Sequence, residues 1–128
     1  MAHKQSVATT KAPGAIGPYS QAIITGNLLF ASGQLPIDPE TKKMPEGPIE
    51  NRARQVFENL RAIVEEAGAT LGDVVKTTIF LTDMQDFKAM NEVYATYFSA
   101  PYPARSAVQV AALPLGADIE MEAVVSLK

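Results

Sequence analysis

Few residues of this chain could take part in chemistry. The sequence has no cysteine, and its single histidine, His3, lies in a polar N-terminal stretch of the kind that commonly frays. A thiolate nucleophile, a cysteine-ligated zinc site and a histidine-based triad within one chain are therefore excluded. Any chemistry must rest on carboxylates, arginine, lysine, tyrosine, serine and backbone amides.

Two charged residues occupy unusual positions. Arg105 starts a predicted strand just after a turn bounded by Pro101 and Pro103, and Glu120 lies inside the last predicted strand, where glutamate is depleted. A guanidinium can bind a carboxylate through two hydrogen bonds, and a carboxylate can deprotonate water. Simpler roles stay open: Arg105 as a surface or ion-paired arginine, and Glu120 or Glu122 as a charge satisfied by Arg105 or by water.

Two amphipathic helices are predicted around these residues. Apolar residues recur at i, i+3, i+4 and i+7 over Ile49–Ala67, and Gly68 suits the position after the helix end. A second helix is predicted over Phe87–Phe98 and is ended by Pro101 and Pro103. Asn91 lies within this second helix.

The remaining elements are strands. They are predicted at Gln21–Ile24, Leu28–Ser32, Val74–Thr82, Arg105–Ala111 and Asp118–Leu127, the first two forming a hairpin across Thr25-Gly26-Asn27. The proline-rich stretch Leu35–Pro48 is a loop that carries function or covers a neighbouring chain. The predicted order is β-β-β-α-β-α-β-β, in which only two of the three strands before the first helix have assigned residue ranges. We expect one domain over residues 1–128 with an α+β fold, two helices covering one face of a sheet.

The second face of that sheet is also expected to be covered. Val75, Thr77, Ile79 and Leu81 alternate with Val74, Thr78 and Phe80, so this strand presents hydrophobic or β-branched residues on both sides. Glu120 and Glu122 should point to the second face, because their neighbours in the last strand belong under the helices. Large exposed apolar patches are rare on monomers, so the pattern favours an oligomer.

The composition of the chain limits the classes of partner that it can be expected to bind. The 128 residues carry a net charge of −3 without a basic run, which disfavours nucleic acid. The longest apolar runs are too short to cross a membrane, and residues 1–14 have no apolar stretch like a secretory signal. The glycines form no nucleotide-binding pattern. We therefore expect a soluble, cytoplasmic protein that binds neither nucleic acid nor membrane.

Four stretches resemble the RidA (YjgF) family of reactive intermediate deaminases. They are Gly17-Pro18-Tyr19-Ser20-Gln21, Ser32-Gly33-Gln34, Pro103-Ala104-Arg105-Ser106 and Ile119-Glu120-Met121-Glu122-Ala123. The resemblance runs in order over nearly the whole chain, and four motifs in sequence are far more specific than one. It implies a chorismate-mutase-like fold of the bacillus type, with one mixed β-sheet, and a homotrimeric barrel with clefts between subunits.

The resemblance also implies an activity without metal or cofactor. Small 2-iminoacids (2-iminobutanoate and 2-iminopropanoate) or their enamine tautomers would be hydrolysed to 2-oxoacids and ammonia. Arg105 would bind the substrate carboxylate and Glu120 would activate water. Ser32 and Tyr19 would complete the catalytic group, and substrate would also contact Gly33, Ala107 and Asn91. Many relatives carry cysteine where this chain has Ala107, so here that position can contribute through its backbone alone.

Alternative functions stay open at this point. The same fold could serve as a non-catalytic module that binds small carboxylates, as a chaperone-like protein, or as an RNA-cleaving translation inhibitor. RNA cleavage would favour a basic groove and a pair of histidines or lysines, which this chain lacks. A pure binding module would need Arg105 and tolerate the loss of Glu120.

Overall fold

A computed structural model describes residues 3–128. The strands and helices are β1 (Gln5–Val7), β2 (Ala22–Thr25), β3 (Leu28–Gln34), α1 (Ile49–Glu66), β4 (Val74–Leu81), α2 (Phe87–Tyr97), β5 (Ala104–Gln109) and β6 (Ile119–Ser126). This order confirms the predicted β-β-β-α-β-α-β-β arrangement. The strand that the sequence pattern did not locate is β1, a short edge strand paired with β2.

The local signals explain the bounds of the elements. Helix α1 begins after Pro48, and Gly68 follows its end with φ +83°, a left-handed conformation that glycine adopts without strain. Strand β2 ends at Thr25 and strand β3 begins at Leu28, so Gly26 and Asn27 alone form the hairpin turn. The stretch between β3 and α1 contains no helix or strand, as its prolines predict.

The six strands form one mixed sheet in the order β1-β2-β3-β6-β4-β5. Strands β4 and β5 are parallel, and each of the other neighbouring pairs is antiparallel. Strand β5 is therefore a sheet edge, reached from β4 through helix α2. The mixed sheet with two helices confirms the predicted fold class, while assembly into a trimeric barrel stays a prediction.

Both helices pack on the same face of the sheet. The fully buried side chains from both layers include Phe57, Leu60, Ile79, Met90 and Met121, and they belong to one apolar cluster. The opposite face, called here the open face, retains large apolar side chains, and Phe30 and Val108 are 45% and 43% exposed. Within residues 3–128 no helix is both long and apolar enough to cross a membrane.

The predicted face assignment was wrong at the start of β4. Val74 pairs with Val125 and Lys76 with Val124, so Val75 is an extra residue in a β-bulge. Val74 is therefore buried on the helix side, while Val75 is 45% exposed. Simple alternation of side chains placed Val75 on the same face as Thr77, and Val74 on the other face. The structure shows the reverse, because a bulge cannot be recognised from periodicity alone.

Candidate functional site

Arg105 lies on the helix-covered face of β5. It pairs with Thr77, whose side chain is buried under α2, and its Nη1 donates to Asn91 Oδ1 at 2.7 Å. The guanidinium carbon stands 4.7 Å from the centre of the Tyr94 ring and 5.5 Å from that of Phe87. The aromatic contacts and the hydrogen bond to Asn91 restrict the rotamers of this long side chain.

Tyr94 is itself held in place beneath Arg105. Its ring is almost fully buried, and its hydroxyl shares a hydrogen bond of 2.9 Å with Thr77 Oγ1. Burial raises the pKa of the Tyr94 hydroxyl, so the ring stays a neutral surface for the cation. Sequence patterning placed Tyr94 and Phe87 in the core and missed their contact with Arg105.

Arg105 has no acidic partner within the part of the chain that the structure describes. The two ion pairs found there are Arg52–Asp118 and Arg61–Glu58. Its remaining N–H groups also make no hydrogen bond among those residues. The interpretation of Arg105 as an ion-paired surface residue is therefore not supported, and the guanidinium can bind an anion.

Ala107 lies two residues beyond Arg105 on the same face of the sheet. The Val110 N–H donates to Leu81 O at 2.8 Å, toward β4. Because successive residues of a strand direct their amides to opposite sides, the amides of Arg105 and Ala107 point to the free edge. This geometry fits a contribution of Ala107 through its backbone.

Glu120 lies on the open face, as predicted, against Gly33. A β-carbon built on Gly33 would approach Glu120 Oε2 to 2.6 Å, so any side chain there would displace the carboxylate. Ala31 pairs with Ala123 and Gln34 with Met121, which leaves Ser32 and Gly33 opposite a single residue of β6. This bulge brings β3 against the carboxylate and explains the glycine.

The carboxyl group of Glu120 is electrostatically perturbed. Partial burial raises its pKa above the ordinary value, and the nearby charge of Glu122 raises it further. Glu120 forms no salt bridge in the described chain, so Arg105 does not satisfy it. A carboxylate held in this way is a stronger proton acceptor than a solvated one.

The Ser32 hydroxyl makes a hydrogen bond within the chain. Its hydroxyl donates to Ser20 O at 2.6 Å, so its proton serves the backbone, and its oxygen stays available as an acceptor. Tyr19 lies one residue before Ser20, with its side chain 53% exposed and its hydroxyl accepting from Ile16 N at 3.4 Å. Ser32 therefore connects the Tyr19 segment to the bulge that contacts Glu120.

The predicted residues fall into two groups on opposite faces of the sheet. Arg105, Asn91 and Ala107 form the arginine group on the helix side. Glu120, Gly33 and Ser32 form the glutamate group around the open face, and Tyr19 is connected to it through the hydrogen bond between Ser32 and Ser20. Register fixes this division, because Arg105 pairs with Thr77, whereas Glu120 pairs with Phe80 on the other face. Within one chain Arg105 and Glu120 therefore lie on opposite faces of the sheet, with β4 between their strands.

No group of three or more histidine, cysteine, aspartate or glutamate side chains within residues 3–128 is arranged to hold a metal ion. The arginine group and the glutamate group contribute side chains and backbone amides. Together they offer an anion-binding guanidinium, a basic carboxylate, a phenol and free strand-edge amides.

Comparison with known proteins identifies relatives over almost the whole chain. Residues 9–127 match the family described as Endoribonuclease L-PSP. A human protein named 2-iminobutanoate/2-iminopropanoate deaminase is 46% identical over 121 residues, which cover 94% of this chain and 88% of the human one. A RutC family protein of Pyrococcus abyssi is 54% identical over 94% of this chain and 95% of its own.

Solved structures show the same fold. RidA from an Antarctic Psychrobacter superposes with a TM-score of 0.93 at 52% identity, covering 96% of this chain and 99% of its own. Escherichia coli TdcF with bound serine gives a TM-score of 0.93 at 44% identity, covering 97% of this chain and 99% of its own.

Proposed function

This chain belongs to the RidA family, and from that premise we propose that it hydrolyses small 2-iminoacids to 2-oxoacids and ammonia. The observation that carries the proposal is Arg105, an arginine oriented by Asn91 and Tyr94 without an acidic partner in the described residues. Such a guanidinium suits a substrate carboxylate. A similar protein, TdcF, is described with bound serine, which carries a carboxylate on the carbon that bears nitrogen.

In the proposed reaction Arg105 binds the substrate carboxylate, and the backbone N–H of Ala107, which points to the free edge of β5, contributes to binding the same carboxylate. Glu120 removes a proton from water as the oxygen adds to the C=N carbon, which gives a carbinolamine. The proton taken by Glu120 passes to the nitrogen and completes the amino group of the carbinolamine. Glu120 then takes the hydroxyl proton of the carbinolamine and passes it to the same nitrogen, so that the C=O bond of the oxoacid forms as the C–N bond breaks and ammonia leaves. Small imines hydrolyse readily in water, and positioning with one base can therefore supply the required acceleration.

We further propose that the site lies between subunits of a homotrimer. The arginine group of one subunit would meet the glutamate group of its neighbour, with Tyr19 facing the neighbouring Arg105. The opposite placement of the two groups supports this arrangement, as do the apolar side chains of the open face.

A coupled assay tests the activity. A serine/threonine dehydratase generates the iminoacid, and addition of this protein is expected to accelerate release of oxoacid and ammonia. RNA is incubated with the same preparation, because the family description names an endoribonuclease. The net charge of −3 leads us to expect intact RNA. RNA cleavage without acceleration of imine hydrolysis would refute the proposed activity.

Mixing two inactive variants tests the composite site. Arg105→Ala and Glu120→Gln subunits, unfolded and refolded together, are expected to regain about a quarter of the unmutated activity. Random assembly gives roughly that share of interfaces with both residues intact. If activity stays absent in the mixture while each variant still assembles, the two residues act within one chain, or outside a common site. Light scattering on each preparation measures the assembly.

A further inference from the structure

The segment that carries Tyr19 has little packing of its own. Residues 8–20 between β1 and β2 contain no helix or strand, and Ala12 is the one fully buried side chain among them. Tyr19 and Ile16 are 53% and 87% exposed. Because apolar burial contributes so little here, hydrogen bonds must decide where this segment lies.

A single buried amide supplies most of those bonds. The side chain of Gln21 is 5% exposed. Its Oε1 accepts from Thr9 N at 2.7 Å, and its Nε2 donates to Thr9 O at 3.1 Å and to Pro13 O at 2.7 Å. A weaker contact joins Nε2 to Ala12 O at 3.4 Å. Both ends of the amide are therefore used to hold the segment against the sheet.

The same residue is joined through its backbone to the glutamate group. Gln21 O accepts from Ser32 N at 2.9 Å, and the Ser32 hydroxyl donates to Ser20 O at 2.6 Å. Gly33, the next residue, lies against the Glu120 carboxylate. A continuous set of hydrogen bonds thus runs from the segment of Tyr19 to the bulge beside Glu120.

We propose that Gln21 is a positioning residue that fixes Tyr19 relative to Glu120 at the site where the iminoacid binds. This inference rests on the proposed function, and Gln21 itself touches no reacting atom. Loss of its amide would free residues 9–20 while leaving nearly all of the apolar core intact, since Ala12 is the one residue of this segment that belongs to the core. Tyr19 would then be displaced from the substrate pocket.

The test replaces Gln21 with methionine, which has a similar shape but cannot make these bonds. In the unmutated oligomer and the Gln21→Met variant, hydrogen exchange and steady-state kinetics are measured together. We expect faster exchange over residues 9–20, and a fall in kcat/KM of about tenfold carried mostly by KM, because Tyr19 contacts substrate. Gln21→Glu keeps the acceptor for Thr9 N and removes the donors, and it serves as the second variant if the first does not fold.

Asn59 provides a matched control. It is a fully buried amide on α1 whose Nδ2 donates to Leu35 O and Ile37 O, each at 3.0 Å, and so holds a different loop. Asn59→Leu is expected to speed exchange after Leu35 while leaving KM near its unmutated value. An equal rise in KM in both variants would mean that general destabilisation, and not Tyr19, is responsible.

A double-mutant cycle decides whether Gln21 acts through Tyr19. In a Tyr19→Ala background the Gln21→Met change should add little further loss, because the residue it positions is already gone. Fully additive losses would overturn the proposal, as would unchanged exchange over residues 9–20. If the unmutated protein shows no turnover, the proposed function fails and the catalytic role of Gln21 fails with it, whereas the exchange data still decide whether Gln21 holds the segment.

Discussion

Arg105→Ala is expected to lower kcat/KM for the iminoacid by at least about a hundredfold and to abolish binding of small carboxylates. The change removes two charge-assisted hydrogen bonds to the substrate, each contributing about 1.5–3 kcal/mol, and every 1.4 kcal/mol corresponds to roughly tenfold. Arg105→Lys should restore part of the loss, since an ammonium cannot reproduce the planar fork or its contact with Tyr94. Calorimetry with a small carboxylate such as serine measures the binding directly.

Arg61→Ala is the matched control for this experiment. Arg61 also lies over a tyrosine ring, with its guanidinium carbon 5.0 Å from the centre of Tyr97, but it is paired with Glu58. Its loss should leave carboxylate binding and kcat/KM unchanged. If Arg105→Ala behaves in the same way, Arg105 does not bind the substrate, and the proposed mechanism is wrong at its first step.

Glu120→Gln is expected to lower kcat by about a hundredfold while sparing carboxylate binding, because the amide keeps the size of the side chain but cannot accept the proton of water. In the unmutated protein the rate should increase with pH through the raised pKa of Glu120, since the carboxylate is the active form. That acidic limb should therefore lie above the range of an ordinary glutamate, and it should be absent from the variant.

The same substitution has a predictable effect on stability. A carboxyl pKa that is raised by burial means that the folded protein holds the proton more tightly than the unfolded chain. Stability from this group is present at low pH and is lost as the pH rises through the raised value. At neutral pH Glu120→Gln should thus melt at a higher temperature than the unmutated protein, and the advantage should shrink in acid.

The Glu122→Gln variant distinguishes the role of Glu120 as the base from the influence of its neighbour Glu122. Glu122 is the adjacent acidic residue of the open face, more exposed than Glu120, and its charge raises the pKa of Glu120. Its loss should shift the acidic limb to lower pH and leave the maximal rate nearly unchanged. Full deaminase activity in Glu120→Gln would instead assign the chemistry to another group, whereas the absence of measurable activity in the unmutated protein would favour a module that merely binds carboxylates.

Much of the architecture could be predicted from local pattern. The 3.6-residue periodicity of Ile49–Ala67 predicted α1 to within one residue of its end, and Gly68 was recognised as the residue after that end. The alternation in the last strand placed Glu120 on the face away from the helices, as observed. These features depend on neighbours within a few residues, so they can be recognised in the chain itself.

The sequence alone also determined which chemistry is possible. Without cysteine, and with one histidine near the terminus, the chain restricts any reaction to carboxylate, guanidinium, hydroxyl and amide groups. The four motifs that resemble the family identified Arg105 and Glu120 as the residues to examine. Residue types are fixed by the chain, whatever its fold, and a list of available functional groups therefore needs no coordinates.

The tertiary structure decided where those groups lie relative to one another. The bulges at Val75 and at Ser32–Gly33 depend on pairing with β6, which is distant in sequence, and they set which side chains face the helices. The aromatic surface under Arg105 and the bonds between Gln21 and Thr9 likewise join residues more than ten positions apart. Register and packing between distant segments are cooperative properties of the folded chain, and so the division of Arg105 and Glu120 between two faces emerges from the sheet as a whole.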